Sequence, residues 1–284
     1  PGERVGPSRK SRNYGFGGIL ATVTGERHAS GWDAWYFGAH CADLDAVPES
    51  RGRSYRFPEM PRPARPGPDA VLDATDPRFG AAGDGQTDDT AALAKALAEA
   101  GRAGGGTVFL PPGTYRLTRP LTVPEGVELR GPMASPQIRC WFETCSLVID
   151  HGRNHETPET APAALTLQAG AGIRGLLITL PGLLEDLAAL NDGTRNDVRP
   201  YPWCIRGGGR GVYVVDVTFK VAWNGIDFGS ARCDNHLVRN VWGTVARRGI
   251  RAGAGSRDGH LERVAFDIGP SGLKPNSAAN RYLH

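Results

Sequence analysis

"GIDFGSARCDNHLVRNVWG" (residues 225–243) and "GIRAGAGSRDGHLERVAFD" (residues 249–267) are two passes of one pattern. Each opens on Gly-Ile, runs through a turn rich in Gly and Asp, and closes on two apolar residues three apart, Val238/Val241 and Leu261/Val264. Residues 164–180 and 204–219 fit the same frame, with Leu165 and Ile205 matching Ile226 and Ile250, and with Ile173/Leu176 and Val214/Val217 matching the closing pairs. The intervals from Ile226 to Ile250 and from Val214 to Val238 are both 24, and that from Val238 to Leu261 is 23. A helix-free unit of this length cannot bury its own apolar side, whereas a stack of such units can. The pattern therefore predicts an all-β parallel solenoid, with equivalent residues of successive coils about 4.8 Å apart. A leucine-rich repeat has a similar period, but its L-x-x-L-x-L signature is absent.

Upstream, from Gly105, "TVFL", "YRL", "LTV" and "GVELRG" are short strands broken by Pro and Gly. Before them "AALAKALAEAG" (91–101) places Leu93, Ala96, Leu97 and Ala100 on one helical face. A helix over 88–100 follows, with Thr87 as N-cap, Asp88 and Asp89 in the first turn and Gly101 as stop. It is expected to cover the first coil, whose strand edge would otherwise be unpaired. "GDGQTDDT" (83–90) packs three aspartates together but lacks the calcium-loop pattern, so Asp84, Asp88 and Asp89 read as structural. "PRPARPGP" (61–68) reads as an extended linker. Residues 1–68 are thus an arm, or the remnant of a preceding domain, plus linker; residues 69–284 are the solenoid, expected to be cut from something longer.

The 39 glycines are about double the usual share, which suits many tight corners. Residues 1–68 hold ten Lys/Arg and seven Asp/Glu, which leaves 23 of each for the rest out of totals of 33 and 30. A neutral body offers no basic stripe for nucleic acid, and no apolar run is long enough to span a bilayer. Cys41, Cys140, Cys145, Cys204 and Cys233 show no CxxC or zinc spacing and read as buried small hydrophobes. The alternative is a Cys140–Cys145 bridge.

"GDGQTDDTAALAKALAEA", "GGGTVFLPPGTYRL" and "GVELRG" together resemble the opening of the pectate-lyase-like superfamily of right-handed parallel β-helices. The resemblance is close over residues 71–131. It implies a secreted, carbohydrate-active protein with a polysaccharide or oligosaccharide substrate; the charge and apolar patterns above add the expectation of no nucleic-acid and no membrane partner. A glycoside hydrolase comes first, a lyase on a uronate polymer second, and a non-catalytic saccharide-binding or tailspike-like β-helix third. No cofactor is implied, except calcium held by carboxylates if the protein is a lyase.

Strand alternation locates the candidate site. With Ile226 and Phe228 inward, Asp227 points outward, and so do Thr166, Arg206 and Arg251 on neighbouring coils. In related β-helices this sheet floors the saccharide groove. Two readings of the column compete. In one, Asp227 between two arginines is an ion-pair ladder that holds the coils together. In the other, Arg206 and Arg251 bind sugar while Asp227 acts as base or nucleophile, its pKa lowered by the cations. Glycoside hydrolysis then needs a second, protonated carboxyl, for which Asp234, Glu185 and Asp186 are the nearest candidates. Polygalacturonases, which this chain resembles in its strands, carry catalytic aspartates just before the strand. The matching positions here are Trp203, Asn224 and Arg248, none acidic, so that mechanism does not transfer.

The coil spacing breaks once. Phe219 to Ile226 and Gly243 to Ile250 are each 7 residues, but Ile178 to Ile205 is 27. The excess, "PGLLEDLAALNDGTRNDVRPYPW" (181–203), is expected to be an inserted loop beside the groove. Its Tyr201 and Trp203, with Trp223 one coil on, read either as platforms for sugar faces or as packing under the loop.

Overall fold

The structure, a computed structural model, describes residues 59–132 and 145–266 in full and, upstream, the backbone of five short strands. The chain divides into two compact units, Pro1–Glu59 and Met60–His284. In the first, β1 (Arg4–Val5), β2 (Gly25–His28) and β3 (Gly31–Trp32) form an antiparallel sheet, and β4 (Ala34–Tyr36) and β5 (Ala39–Cys41) a hairpin.

The second unit contains β6 (Val71–Asp73), β7 (Asp84–Asp88), α1 (Thr90–Arg102), β8 (Gly106–Phe109), β9 (Thr114–Leu117), β10 (Leu121–Val123) and β11 (Val127–Arg130). It continues through β12 (Ser146–Ile149), β13 (Leu165–Leu167), β14 (Gly172–Thr179), α2 (Pro181–Asn191), β15 (Trp203–Gly207), β16 (Tyr213–Phe228), β17 (Leu237–Ala252) and β18 (His260–Phe266). Its described strand pairings are all parallel. The chain winds as a parallel β-helix with three faces.

Face one stacks Leu121, Leu165, Ile205, Ile226 and Ile250 in register. Face two stacks Leu72, Val108, Leu129, Ile173, Val214, Val238 and Leu261. Face three stacks Tyr115, Leu147, Ile178 and Phe219, followed by Gly243 and Phe266. Apolar side chains meet their own kind on the coils above and below, and most of these residues are fully buried. The repeat frame read from the sequence is therefore the register itself, including Ile226 over Ile250.

The closing pairs are three residues apart because a corner lies between them. Gly175, Asp216, Asn240 and Arg263 occupy that position in four successive coils, at φ +67, +54, +53 and +50. One left-handed residue turns the chain from face two to face three. Gly, Asp and Asn tolerate this conformation best, and Asn240 Nδ2 donates to Asp216 Oδ1 across two coils at 2.7 Å.

The cap helix buries Leu93, Ala96, Leu97 and Ala100, the predicted face, and packs on β6, β8, β10 and β11. Its start differs from expectation. Residues 84–88 pair as a strand with β9, so the helix begins at Thr90, and Thr87 Oγ1 donates to Asp84 rather than capping. Asp89 sits at the N-cap without a side-chain cap bond; its carboxylate accepts from the backbone N–H groups of Ala82 and Arg116. Asp84 accepts from Gln86 N and Thr87 N, and Asp88 from Thr90 N and Thr118 Oγ1. The Thr118 hydroxyl, first among these bonds, holds the Asp88 carboxyl well below the usual range. All three aspartates fasten the first coil.

Residues 61–65, within the stretch 61–68 expected to be a linker, lie against the β-helix. Ala64 N donates to Gly126 O at 2.9 Å, and Arg174 Nη2 to Pro61 O at 2.7 Å. Cys145, Cys204 and Cys233 are buried free thiols, so Cys145 is not half of a bridge. Cys140 and the last residues, 267–284, lie outside the described residues.

The close approach of Ala64 gives a stability prediction. Gly126 has φ +66, and a Cβ there would stand 2.5 Å from Ala64 Cβ; Gly104, at φ +84, has open space around it. Gly104→Ala should cost about 1–2 kcal/mol for the left-handed backbone alone, and Gly126→Ala about 1–3 kcal/mol more from overpacking. In urea unfolding, Ala64→Gly should recover that second part in the Gly126→Ala background. Equal losses for the two glycine variants would refute the contact.

Candidate functional site

Thr122, Thr166, Arg206, Asp227 and Arg251 stand in register along face one, so the expected column exists and starts one coil earlier. At its centre Asp227 is fully buried and accepts six hydrogen bonds. Oδ1 takes Gly229 N and Ser230 N, both at 3.0 Å, and Arg251 Nε at 2.8 Å. Oδ2 takes Arg206 Nε at 2.9 Å, Ser230 Oγ at 2.6 Å and Arg251 Nη2 at 2.7 Å. Burial pushes this carboxyl up, but the donors from Arg251, Ser230, Gly229 and Arg206 together outweigh it and hold the group well below the usual carboxylate range. With three donors on each oxygen, Asp227 has no lone pair left for a proton or a sugar carbon. Its geometry is that of the ladder, not of a base or nucleophile.

The arginines are equally engaged. Arg206 also donates from Nη1 to Ala161 O at 2.8 Å and from Nη2 to Glu159 O at 2.9 Å. Arg251 contacts Ser230 Oγ and lies 4.9 Å over the Trp203 ring, a cation–π arrangement.

The remaining expected residues fall elsewhere. Asp234 lies in the turn before β17, bonded by Arg232 Nε at 2.8 Å and Arg257 N at 2.9 Å. The Arg232 bond, foremost, lowers its carboxyl pKa, which is the wrong direction for the protonated partner that hydrolysis requires. Glu185 is exposed and pairs with Arg153 at 3.0 Å. Asp186 is buried among Arg153, Arg199 and Arg195, at 2.6, 3.3 and 3.7 Å. Tyr201 and Trp203 are buried, so neither is a sugar platform; Trp203 stays outside the main apolar cluster while Cys204 joins it. Only Trp223, packed partly against the core, keeps some exposure.

The inserted segment is not a plain loop: its first half is α2, which buries Leu183, Leu187 and Leu190. It stacks on the preceding coil's insertion, residues 150–164, through His155 N to Pro200 O and the Arg153 pairs. Together these two insertions wall one side of face one.

A carboxylate from outside the repeat, Glu159, meets face one. Glu159 meets Arg248 Nη1 at 2.6 Å and Arg247 Nε at 3.6 Å. The run "ARRGIR" (246–251) is the signal in the sequence that could have pointed to this charge. Trp203, Asn224 and Arg248, aligned as equivalents by position, do stand in one register column. Among the described residues no group of three or more His, Cys, Asp or Glu gathers as a metal site, and no helix is long and apolar enough to cross a membrane.

Asp227→Asn leaves two guanidinium groups facing a neutral amide and should cost about 3–5 kcal/mol in urea unfolding at pH 7. Because the folded pKa is depressed, the carboxylate's contribution is complete above the unfolded value, about 3.9, and is lost as pH falls below it toward the folded value. The gap between the native protein and Asp227→Asn should therefore narrow from pH 5 to pH 3. A gap that is constant across this range would refute the ladder.

Residues 77–150 match the family model described as "Rhamnogalacturonase A/epimerase, pectate lyase-like". Among curated proteins, the chain is 35% identical over 131 residues to mannuronan C5-epimerase AlgE1 of Azotobacter vinelandii, covering 42% of this chain and 9% of that one. It is 60% identical over 40 residues to alginate lyase 7 of the same organism, 14% of this chain and 5% of that one. The chain thus spans less than a tenth of these relatives. Among solved structures, the A-module of the Azotobacter vinelandii mannuronan C-5 epimerase AlgE6 aligns with a TM-score of 0.43 at 19% identity, over 68% of this chain and 55% of that one. The family match spans the cap helix and the opening coils, and the parallel β-helix register that begins there continues to residue 266.

Proposed function

We propose that this β-helix is carbohydrate-active and that face one holds an anionic polysaccharide of the uronate class. The observation that carries this is the charge on that face: Arg206, Arg247, Arg248 and Arg251 stand against two carboxylates, Asp227 and Glu159. Arg247 and Arg248 keep 45% and 43% of their side-chain surface exposed, enough to meet a polymer. Removal of the proton beside a uronate carboxylate, the opening step of both elimination and epimerisation, is helped when cations neutralise that carboxylate. Hydrolysis instead asks for a protonated carboxyl and a free carboxylate, and on face one Asp227 is fully bonded while Glu159 sits against two guanidinium groups. The names of the curated relatives, an alginate lyase and mannuronan epimerases, agree with the uronate reading. The engagement of Asp227 also favours a second reading, a β-helix that binds acidic saccharide without transforming it.

The chain should be retained on immobilised polygalacturonate or alginate, released by salt, and pass through neutral dextran. Arg247→Ala with Arg248→Ala should weaken binding roughly tenfold, about 1.4 kcal/mol. Ultraviolet absorbance of an unsaturated product reports elimination, solvent-deuterium uptake into the polymer reports epimerisation, and neither signal with retention reports binding alone. Equal retention on neutral and acidic matrices would overturn the proposal.

A further inference from the structure

Segment 157–161 lies on face one in a particular place. Its carbonyls at Glu159 and Ala161 are held by Arg206, and its Glu159 carboxylate sits against Arg248 and Arg247. Arg206 pairs in register with Asp227, and Arg248 with Asn224, so these two arginines belong to the coils on either side of the one that carries both Asn224 and Asp227. A segment that touches both neighbours crosses over the coil between them.

What it covers is poorly satisfied. Asn224 is fully buried, and neither its Oδ1 nor its Nδ2 has a hydrogen-bond partner among the described residues. Trp203 Nε1, on the register neighbour of Asn224, is likewise buried and unbonded. Each such group costs about 1–3 kcal/mol. The cover is no better served: both Glu159 oxygens are buried and, although close to guanidinium nitrogens, take no aligned hydrogen bond. A poorly bonded carboxylate on a segment that crosses this coil can be exchanged for a ligand that brings both a carboxylate and hydroxyls.

We propose that Glu159 is an internal stand-in for the carboxylate of an acidic sugar, and that segment 157–161 covers a saccharide subsite built by Asn224, Arg247 and Arg248. This rests on the uronate reading above. A uronate residue enters by displacing Glu159, puts its own carboxylate on the two arginines, and gives Asn224 the hydroxyl partners it lacks. The arginine contacts to the Glu159 and Ala161 carbonyls are independent of the Glu159 side chain, so Glu159→Gln leaves the segment anchored while removing the competing charge.

The test is calorimetric binding of oligogalacturonate and oligomannuronate, with a neutral malto-oligosaccharide as control, to the 284-residue chain and to two variants. Glu159→Gln should bind the acidic oligomers about two- to fivefold more tightly, the range a solvent-screened ion pair is worth, and Arg248→Ala more weakly. Amide exchange at 157–161 should rise when an oligouronate binds. If Arg248→Ala weakens binding while Glu159→Gln binds no tighter than the native chain, the stand-in is refuted and the uronate reading survives. If no form binds an acidic oligomer, the uronate reading falls and the subsite falls with it.

Discussion

A coil of some two dozen residues has no interior of its own. It acquires one only when its apolar side chains are pressed between those of the coils above and below, and the parallel backbone ladder enforces that coincidence. Face two makes the constraint plain: Val108, Leu129, Ile173, Val214 and Val238 stand in one line, and each is fully buried because its neighbours are. At the open end of the first coil, α1 supplies a covering layer with Leu93, Ala96, Leu97 and Ala100. Three aspartates, Asp84, Asp88 and Asp89, then spend their carboxylates on the backbone and hydroxyl groups of that junction.

The same stacking that builds the core builds the outer columns, and there it brings charge over charge. Asp227 with Arg206 and Arg251 shows how the ladder resolves this: a buried anion is tolerated because every lone pair is occupied. The polar chemistry that is less well resolved, Asn224 and Glu159, lies immediately beside it. A face that fastens its centre and leaves its margin under-bonded can keep its shape while exchanging partners at that margin.

Much of this was legible in the residues. The pairs Ile226/Ile250 and Val238/Leu261 gave the register, and alternation around Ile226 correctly set Asp227 in line with Arg206 and Arg251. What alternation does not carry is satisfaction. The carbonyls of Glu159 and Ala161 that complete Arg206 come from a loop with no repeat, so the closure of the column was not readable. Trp203 allowed two readings from its position alone, platform or packing, and only the fold shows it fully buried outside the main apolar cluster that Cys204 joins. Thr87 does not cap the helix because the pairing of residues 84–88 with β9 overrides its local cap preference.

From Ile173 onward, faces two and three are joined by one left-handed residue per turn: Gly175, Asp216, Asn240 and Arg263. That joint has no slack. A single codon added there would flip every later side chain in the strand from inside to outside, whereas the opposite corner already accommodates all of 181–202 without disturbing the winding. Variation in length is thereby channelled to the rim of face one. Such a scaffold can diversify what it grips through its loops while its own architecture stays fixed.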